Sequence, residues 1–404
     1  MTDSPHDTAA ARRIVASAAM IGALSAFSQQ ATVPSLPEIQ AHFGASVAAT
    51  QTVVTSAYLG LAGGYLFAGP LSDRIGRRVV MLGGLGLFLA GCAMALLAPA
   101  LAVVVAGRLL LAFGIGAGAA VARAAINDHF PPDAASTAIA QTALAALVAP
   151  LVAPSIGGLL TDWGGWTAPF AFLAVLGVLA MAYTASQVRD AAGPAPPQAR
   201  AHAGPHDHWT AAPLELLRDA RFRAYALFAA FTLCGLSGFI GGAPYILREK
   251  LGLSASDYGL LATLPALATW IGFLLYSRAG RRLGPERLMR LGAQLTLAGG
   301  LAMVVVTAAD LRNPLAWFGA AMIPAFAHAL AIPGALAKVM ALRPGVAGTA
   351  SGIVGFTQLI IAAGWVQGIG FFAHGSAWAL AIALLLAGVL SMTMLARLVA
   401  LRAI

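Results

Sequence analysis

The sequence predicts an all-α membrane protein in which twelve transmembrane helices form two pseudo-symmetric six-helix bundles. Of its 404 residues, 59% are hydrophobic and only 10% are charged, a composition outside the range of soluble domains. Twelve apolar runs have the length of about 17 to 25 residues that crosses a bilayer. One long polar segment divides these runs six and six.

The apolar runs define the expected organisation of the chain. A polar tail, residues 1–13, precedes the first run. A secretory signal peptide is the competing interpretation of this start, but the many further spans favour a first transmembrane helix. The first bundle then covers residues 14–187, a cytoplasmic linker 188–221, the second bundle 222–397, and a C-terminal tail 398–404. The runs lie at about 14–33, 50–69, 79–98, 101–123, 137–160, 166–187, 222–243, 258–277, 286–307, 314–338, 349–372 and 376–397.

The basic residues indicate membrane orientation and not nucleic-acid binding. The net charge is +9, but the lysines and arginines lie in short turns between apolar runs, without interleaved aromatic patches. Arg248, Lys250 and Arg312 face one side. Arg108 and Arg123 lie in or at the end of the fourth run, and the other nineteen (24 − 3 − 2) face the opposite side. The richer side is expected to be cytoplasmic and to carry both termini.

The two halves of the chain share sequence features. Residues 34–46 match 244–256 at an offset of 210 (244 − 34), each with a proline leaving a helix and a serine before the next. Residues 74–78 match 278–282, although Gly284 allows a shifted alignment. Internal repeats are typical of transporters that hold their substrate between two halves near the bilayer midplane. A channel or a membrane enzyme does not need this duplication.

A charged turn at residues 69–78 separates the second and third runs and reads Gly-Pro-Leu-Ser-Asp-Arg-Ile-Gly-Arg-Arg. It resembles the loop 2–3 signature of the major facilitator superfamily. The resemblance covers residues 14–400, strongly in the first half and mainly by topology in the second. It implies a latch at the cytoplasmic face that stabilises one access state; a basic turn that only sets topology is the alternative. The latch residues are Gly69, Asp73, Gly76, Arg77 and Arg78.

The fourth run contains an arginine well inside the predicted span. A charge at this depth is costly, so Arg108 should face the protein interior or a wet cavity. It resembles the arginine of the superfamily's helix-four motif, which serves conformational or proton coupling; simple bonding to backbone carbonyls is the alternative. Arg123 and Asp128 resemble the end of helix four in the Bcr/CflA drug-resistance branch. Their interaction could equally be an ordinary surface ion pair.

The fifth run contains two prolines four residues apart. Prolines bend a transmembrane helix, and small residues beside them allow a close neighbour. The segment resembles the antiporter motif of drug-efflux members, in the Ala-Pro-x-x-Ala-Pro form of the Bcr/CflA branch, with Ala153 in place of a glycine. Tight packing alone is the alternative. The motif residues are Pro150, Pro154, Gly157 and Gly158.

The first run departs from the Bcr/CflA pattern, in which an aspartate is implicated in proton coupling. This chain has Gln30 there, and none of its fifteen acidic residues lies in the middle of a run. A proton therefore needs another carrier. His328 is the main candidate, because imidazole titrates near neutrality; a neutral histidine bonded to a neighbouring helix is the alternative, and Glu38 is a weaker substitute. The candidate substrate or proton site comprises Gln30, Thr32, Tyr58, Gln141, His328 and Gln358.

Other chemistries have little support. The linker holds His202, His206, Asp207 and His208, but their irregular spacing in a Pro/Gly-rich segment favours a plain tether over a zinc or nickel site. The two cysteines each lie in an apolar run, which does not indicate a disulfide framework. The chain lacks a phosphate-binding loop and a nucleophile–base cluster. No metal, cofactor or catalytic residue is expected.

These observations predict a secondary active efflux transporter of the bacterial inner membrane. It is expected to export a small neutral or anionic drug or metabolite by proton antiport with alternating access, because an interior cation without a carboxylate disfavours cations. The expected partners are the substrate, the proton and the lipid bilayer, without nucleic acid, and the protein is expected to be a monomer. The alternatives are a proton-independent facilitator or importer of a metabolite, and a non-transporting sensor or scaffold.

Overall fold

The structure is a computed structural model that describes residues 5–130, 132–187, 215–343, 346–373 and 376–401. Within these ranges it contains fourteen α-helices, one further helical turn at 215–218, and no β-strand. The helices are α1 (Pro5–Ala31), α2 (Leu36–Phe43), α3 (Val47–Ile75), α4 (Arg77–Leu96), α5 (Leu101–His129), α6 (Pro132–Gly164), α7 (Ala168–Gln187), α8 (Ala220–Leu251), α9 (Ala255–Leu261), α10 (Thr263–Leu283), α11 (Pro285–Ala308), α12 (Pro314–Leu342), α13 (Ala347–Ala373) and α14 (Ala377–Ala400).

Twelve apolar helices of the described residues are long enough to cross a membrane, which confirms the twelve-helix fold. The short helices α2 and α9, of eight and seven residues, lie between spans. α1 already begins at Pro5, within the predicted tail, but its apolar part begins at Arg13. Residues 188–214 of the predicted linker, with its histidine cluster, lie outside the described residues.

One helix end differs from the prediction for a clear reason. The sequence ended the seventh run at residue 243, whereas α8 continues through the buried Pro244 to Leu251. A proline removes one helical hydrogen bond, but neighbouring helices in a membrane bundle stabilise the freed backbone. The chain leaves α8 only at Gly252, whose φ of 68° favours glycine.

The internal repeat has a single structural offset that differs from both sequence alignments. Gly44 and Gly252 end helices in the left-handed conformation. Gly76 and Gly284, with φ of 96° and 77°, precede α4 and α11. Both pairs are 208 residues apart (252 − 44 and 284 − 76). The offset of 210 and the match of 74–78 with 278–282 are therefore replaced by one register, because glycines with positive φ fix equivalent turns more strictly than side-chain identity.

The helices form two compact units. The first contains residues 1–32 and 56–206, and the second contains 33–55 and 207–404. The second unit thus includes α2 and the beginning of α3, which precede the linker in sequence. α3 belongs to both units, since its remaining residues pack with the first.

Glycines let helices approach closely within each unit. In the first unit, a Cβ added to Gly84 of α4 would lie 2.5 Å from the carbonyl oxygen of Gly114 in α5. In the second unit, a Cβ on Gly388 of α14 would lie 2.8 Å from the backbone nitrogen of Leu297 in α11. Small residues at helix crossings are the usual means of packing membrane helices, because lipid supplies no hydrophobic drive between them.

Candidate functional site

Arg108 is the buried charge of the first unit. It lies on α5 with 2% of its surface exposed, and its Nη2 donates a hydrogen bond of 2.7 Å to the carbonyl oxygen of Ser28 on α1. Its Nε and Nη1 are buried without a hydrogen-bond partner among the described residues. Tyr58 and Cys92 are close enough to interact with it electrostatically. A buried guanidinium with two free N–H groups is costly unless a ligand completes its bonds.

The other predicted site residues of the first unit surround the same part of α1 and α3. Gln30 and Tyr58 are half-buried, and Thr32 is buried. The Nε2 of Gln29 is buried without a partner in the described part of the chain, a second unsatisfied donor that the sequence did not single out. The side chain of Gln141 lies outside the described residues. The structure thus brings Arg108 to α1 two residues before Gln30.

His328 and Gln358, the predicted site residues of the second unit, meet at one turn of α8. Thr232 donates a hydrogen bond to the carbonyl oxygen of Ala229 (2.9 Å), which also accepts one from Nε2 of Gln358 (3.2 Å). Nδ1 of His328 lies 3.3 Å from the hydroxyl oxygen of Thr232. With the Thr232 hydroxyl donating to Ala229, the tautomer of His328 that forms this bond carries its proton on Nδ1. Nε2 then has no partner among the described residues and is the nitrogen free to accept a proton or a substrate donor.

Arg77 is the centre of the charged turn between α3 and α4. Its Nη1 lies 2.7 Å from Asp73, its Nε donates to Asp128 of α5 at 2.9 Å, and it also donates to the hydroxyl of Ser72. Arg78 donates to the carbonyl oxygen of Ala185 in α7 at 2.9 Å. The turn therefore joins the ends of α3, α5 and α7 within the first unit.

The charged residues at the C-terminal end of α5 have other partners than the sequence predicted. Asp128 binds Arg77, so the interaction of Arg123 with Asp128 is not the one that forms. Arg123 instead lies over the ring of Tyr65 at 5.4 Å from the centroid, a cation–π contact. Spacing along one helix could not show this, because the partner of Asp128 is on a helix 51 residues earlier.

The two glycines of the turn differ. Gly76 has a φ of 96°, which a residue with a Cβ rarely adopts, and so requires glycine. Gly69 has neither a positive φ nor a neighbour within 4 Å of an added Cβ. Its place in the latch stays a prediction.

Replacing Arg77 by glutamine should lower the transport rate about 5- to 10-fold, because Arg77 binds both Asp73 of the turn and Asp128 of α5. The same change should lower the melting temperature by no more than about 4 °C, since exposed ion pairs add little stability. Transport by protein in liposomes and thermal unfolding in detergent measure the two effects. Arg74→Gln, which removes the same charge from the same turn, should retain transport. Equal losses in both variants would show that only net charge matters there.

The second unit has an ion pair with reversed charges close to the equivalent position, since the offset of 208 relates Glu286 to position 78 (286 − 208) and Lys338 to position 130 (338 − 208). Glu286, two residues after Gly284 at the start of α11, binds Lys338 near the end of α12. In the first unit, Arg77 at the start of α4 binds Asp128 near the end of α5. The sequence alignment of 74–78 with 278–282 does not relate these two ion pairs. They become comparable when Gly284 is matched with Gly76, because both glycines have a positive φ and precede the helix that carries the pair.

The two prolines of the fifth run lie inside α6, as do the glycines that follow them. α6 contains Pro150 and Pro154 without a break. Gly157 faces α1, where an added Cβ would lie 2.6 Å from the carbonyl carbon of Ala31 and 2.9 Å from its Cα. Gly158 is buried. The motif therefore brings α6 into backbone contact with the end of α1, one residue after Gln30.

Comparison with known proteins identifies the family. The sequence model of the major facilitator superfamily matches residues 18–365. The chain belongs to the major facilitator superfamily. It is 28% identical over 341 residues to multidrug resistance protein D of Escherichia coli (strain K12), covering 84% of both chains. It is 29% identical over 334 residues to multidrug transporter MdfA of Yersinia pestis bv. Antiqua (strain Angola), covering 81% of this chain and 79% of that one.

The structural likeness agrees with this family. The crystal structure of peptide transporter POT in complex with sulfate superimposes with a TM-score of 0.75, at 14% identity, over 97% of this chain and 95% of that one. At this identity the likeness supports the fold alone. A superfamily member with twelve apolar helices among its described residues is a multi-pass membrane transporter.

This superfamily member also has two ion pairs that sequence analysis missed, both at the end of α8. Arg248 lies 3.8 Å from Glu38 of α2. Lys250 binds Asp310, lies 5.3 Å from the centroid of the Trp317 ring, and lowers the pKa of the Asp310 carboxyl mainly through its hydrogen bond. These contacts fix the end of α8 against α2 and against the loop between α11 and α12.

Proposed function

We propose that the protein is a secondary active efflux transporter that exports a small neutral or anionic drug or metabolite by proton antiport with alternating access. The observation that carries this proposal is the buried Arg108 with two unpaired N–H groups. The printed names of the two multidrug relatives support drug export as the activity. The motifs of α5 and α6 support the Bcr/CflA branch.

The charge of the substrate follows from what the spans contain. Within the described residues, every acidic side chain lies near a helix end or in a loop, whereas the buried Arg108 lies two turns inside α5, seven residues after its start (108 − 101). A cationic substrate would find repulsion in place of a counter-ion, and a neutral acceptor or an anion would satisfy the free Nε and Nη1. The substrate should therefore present a carbonyl, hydroxyl or carboxylate oxygen to Arg108.

His328 is the proposed proton carrier. Glutamine does not titrate, so Gln30 cannot replace the aspartate of the branch. The bond between Nδ1 and Thr232 orients the imidazole and leaves Nε2 to receive the proton. Protonation would change the hydrogen-bond network that joins α8, α12 and α13 through Ala229.

The distribution of charge supports the proposed placement in the membrane. The basic turn 74–78 and both termini would face the cytoplasm of a bacterial cell, and the ends of α2 and α8 would face the opposite side. We propose that the transporter works as a monomer in the inner membrane and needs no cofactor besides the coupling proton.

A second candidate function is a facilitator that only equilibrates its substrate. The absence of the branch aspartate at Gln30 favours it, because a transporter without a proton site has no means of coupling. The proposed efflux activity and this alternative differ in one measurable property, the response of transport to an imposed pH gradient.

The test is uptake in proteoliposomes with and without a pH jump, using chloramphenicol, benzoate and tetraphenylphosphonium as neutral, anionic and cationic probes. We expect the neutral or the anionic probe to be transported and to accumulate when a proton gradient is imposed. The cationic probe should not be transported. His328→Ala should abolish accumulation and retain counterflow. Thr232→Val removes the bond to Nδ1 together with the hydroxyl's bond to Ala229, and its accumulation should lie between that of the wild type and that of His328→Ala. Transport of the cation alone would refute the proposal. Equilibration that ignores pH in the wild type would establish the facilitator.

A further inference from the structure

The second unit contains a cavity of about 420 Å³ that none of the motifs explains. It lies where α2 and the beginning of α3 pack on α8 and α13, and its lining includes neither Arg108 nor His328. Its wall is largely apolar, from Pro37, Val47, Ile246 and Ile369. The volume falls within the range of about 300 to 1,000 Å³ that is typical of small-molecule sites.

Two polar side chains in this wall lack partners. Gln51 of α3 is fully buried, and neither its amide nitrogen nor its amide oxygen has a hydrogen bond within the described residues. Tyr245 of α8 is 7% exposed, and its hydroxyl is likewise unpaired. Buried polar groups are almost always satisfied, and each one left unpaired costs about 1 to 3 kcal/mol. These three unsatisfied atoms belong to two residues in the wall of one cavity, where a bound ligand would supply hydrogen-bond partners for them.

Two glycines leave the space that the side chain of Gln51 occupies. A Cβ on Gly241 of α8 would lie 2.9 Å from its Nε2, and a Cβ on Gly370 of α13 would lie 2.9 Å from its Cβ. The side chain is therefore packed between α8 and α13, in the wall of the cavity. Such a fixed donor–acceptor pair is suited to recognising a group that offers both an acceptor and a donor.

The charges at the cavity disfavour ions. Its wall includes one cation, Arg248, and one anion, Glu249, and Arg248 is also paired with Glu38. No uncompensated positive charge remains to bind an anion. The polar atoms deeper in the wall are neutral, so a charged ligand would lose its hydration without a counter-ion.

We propose that this cavity is a second small-molecule site, which binds an uncharged ligand through a carboxamide or hydroxyl group at Gln51 and Tyr245. The site is distinct from the one formed by Arg108 or His328, and it does not depend on the proposed efflux activity. The ligand places its amide between the side chains of Gln51 and Tyr245 and its apolar part against Val47 and Ile369.

Protection of an engineered cysteine tests the site in purified protein, without a gradient. Ala41 of α2 is exposed and lines the cavity, whereas the neighbouring His42 is exposed and does not. The native Cys92 and Cys234 are buried. Chloramphenicol, an uncharged amide with hydroxyl groups, should slow maleimide labelling of Ala41→Cys and leave His42→Cys unchanged. Benzoate and tetraphenylphosphonium should protect neither.

Two variants in the Ala41→Cys background connect protection to the proposed contacts. Gln51→Leu should raise the half-protecting concentration about tenfold, and Tyr245→Phe about threefold or more, as expected for the loss of one or two hydrogen bonds. Gln51→Leu removes an unpaired buried amide, so its melting temperature should be equal or higher. The proposal would be overturned if chloramphenicol failed to protect Ala41→Cys or protected His42→Cys equally. It would also be overturned if benzoate or tetraphenylphosphonium protected better than chloramphenicol, or if Gln51→Leu left the protection unchanged.

Discussion

Replacing Arg108 by glutamine is expected to reduce transport of the neutral or anionic substrate by about 10- to 100-fold, as for the loss of a charge-assisted bond of about 1.5 to 3 kcal/mol. The guanidinium keeps one bond to the backbone of Ser28 and holds two N–H groups free. Glutamine can occupy much of the same volume but carries no charge. The initial rate of uptake and the substrate Kd, measured on the same preparation, separate loss of binding from loss of movement.

The stability of this variant distinguishes function from packing. A buried guanidinium with unpaired N–H groups destabilises the fold in the absence of a ligand, and its removal is often neutral or stabilising. We therefore expect Arg108→Gln to melt at the same temperature as the wild type or above it. A large drop in melting temperature would show that Arg108 is held for packing and would contradict a substrate role.

Two matched changes sharpen the test. Arg108→Lys keeps the charge but loses the planar fork, so it should retain partial transport. Arg123→Gln removes an exposed arginine of the same helix that contacts the ring of Tyr65; it should have little effect. Full transport by Arg108→Gln, or equal losses in Arg108→Gln and Arg123→Gln, would eliminate the proposed site.

The twelve spans were predictable from sequence because the hydrocarbon core imposes one rule on every helix that crosses it. Each run must be predominantly apolar, and α4 and α14 have their arginines only in the first or the last turn. The same rule identified Arg108 as a candidate site residue, since a charge inside an apolar run is costly in lipid and has to face the protein interior or a cavity. The glycine of the charged turn was also readable, and Gly76 has the positive φ that glycine permits.

Contacts between helices were not predictable, because the sequence gives spacing along a helix and not its neighbours. Asp128 was matched with Arg123 of its own helix, and the structure pairs it with Arg77 of α4. Gln51 reads as one more polar residue near a helix start. Its burial depends on residues far away in sequence, among them Gly241 and Gly370, whose lack of a Cβ leaves room for its side chain.

Replacing Gly157 by alanine is expected to lower the stability of the first unit by about 1 to 3 kcal/mol or more, the usual cost of overpacking. The new Cβ would lie within 2.6 to 2.9 Å of backbone atoms of Ala31. Backbone cannot move aside as a flexible side chain does, so α1 and α6 would have to separate. Higher helix propensity offsets the loss by only about 1 kcal/mol. Thermal unfolding in detergent and the folded fraction after purification measure the effect.

Gly22→Ala is the matched control, since Gly22 lies on α1 itself and an added Cβ there would meet nothing within 4 Å. It should be neutral or slightly stabilising, because alanine favours the helix. If Gly157→Ala proved as harmless as Gly22→Ala, the contact between α6 and Ala31 would be dispensable. The prolines of α6 would then have to act without it, by bending the helix. If Gly157→Ala is harmful, close approach is the physical reason for this glycine, and the contact with Ala31 fixes α6 beside Gln30 of α1.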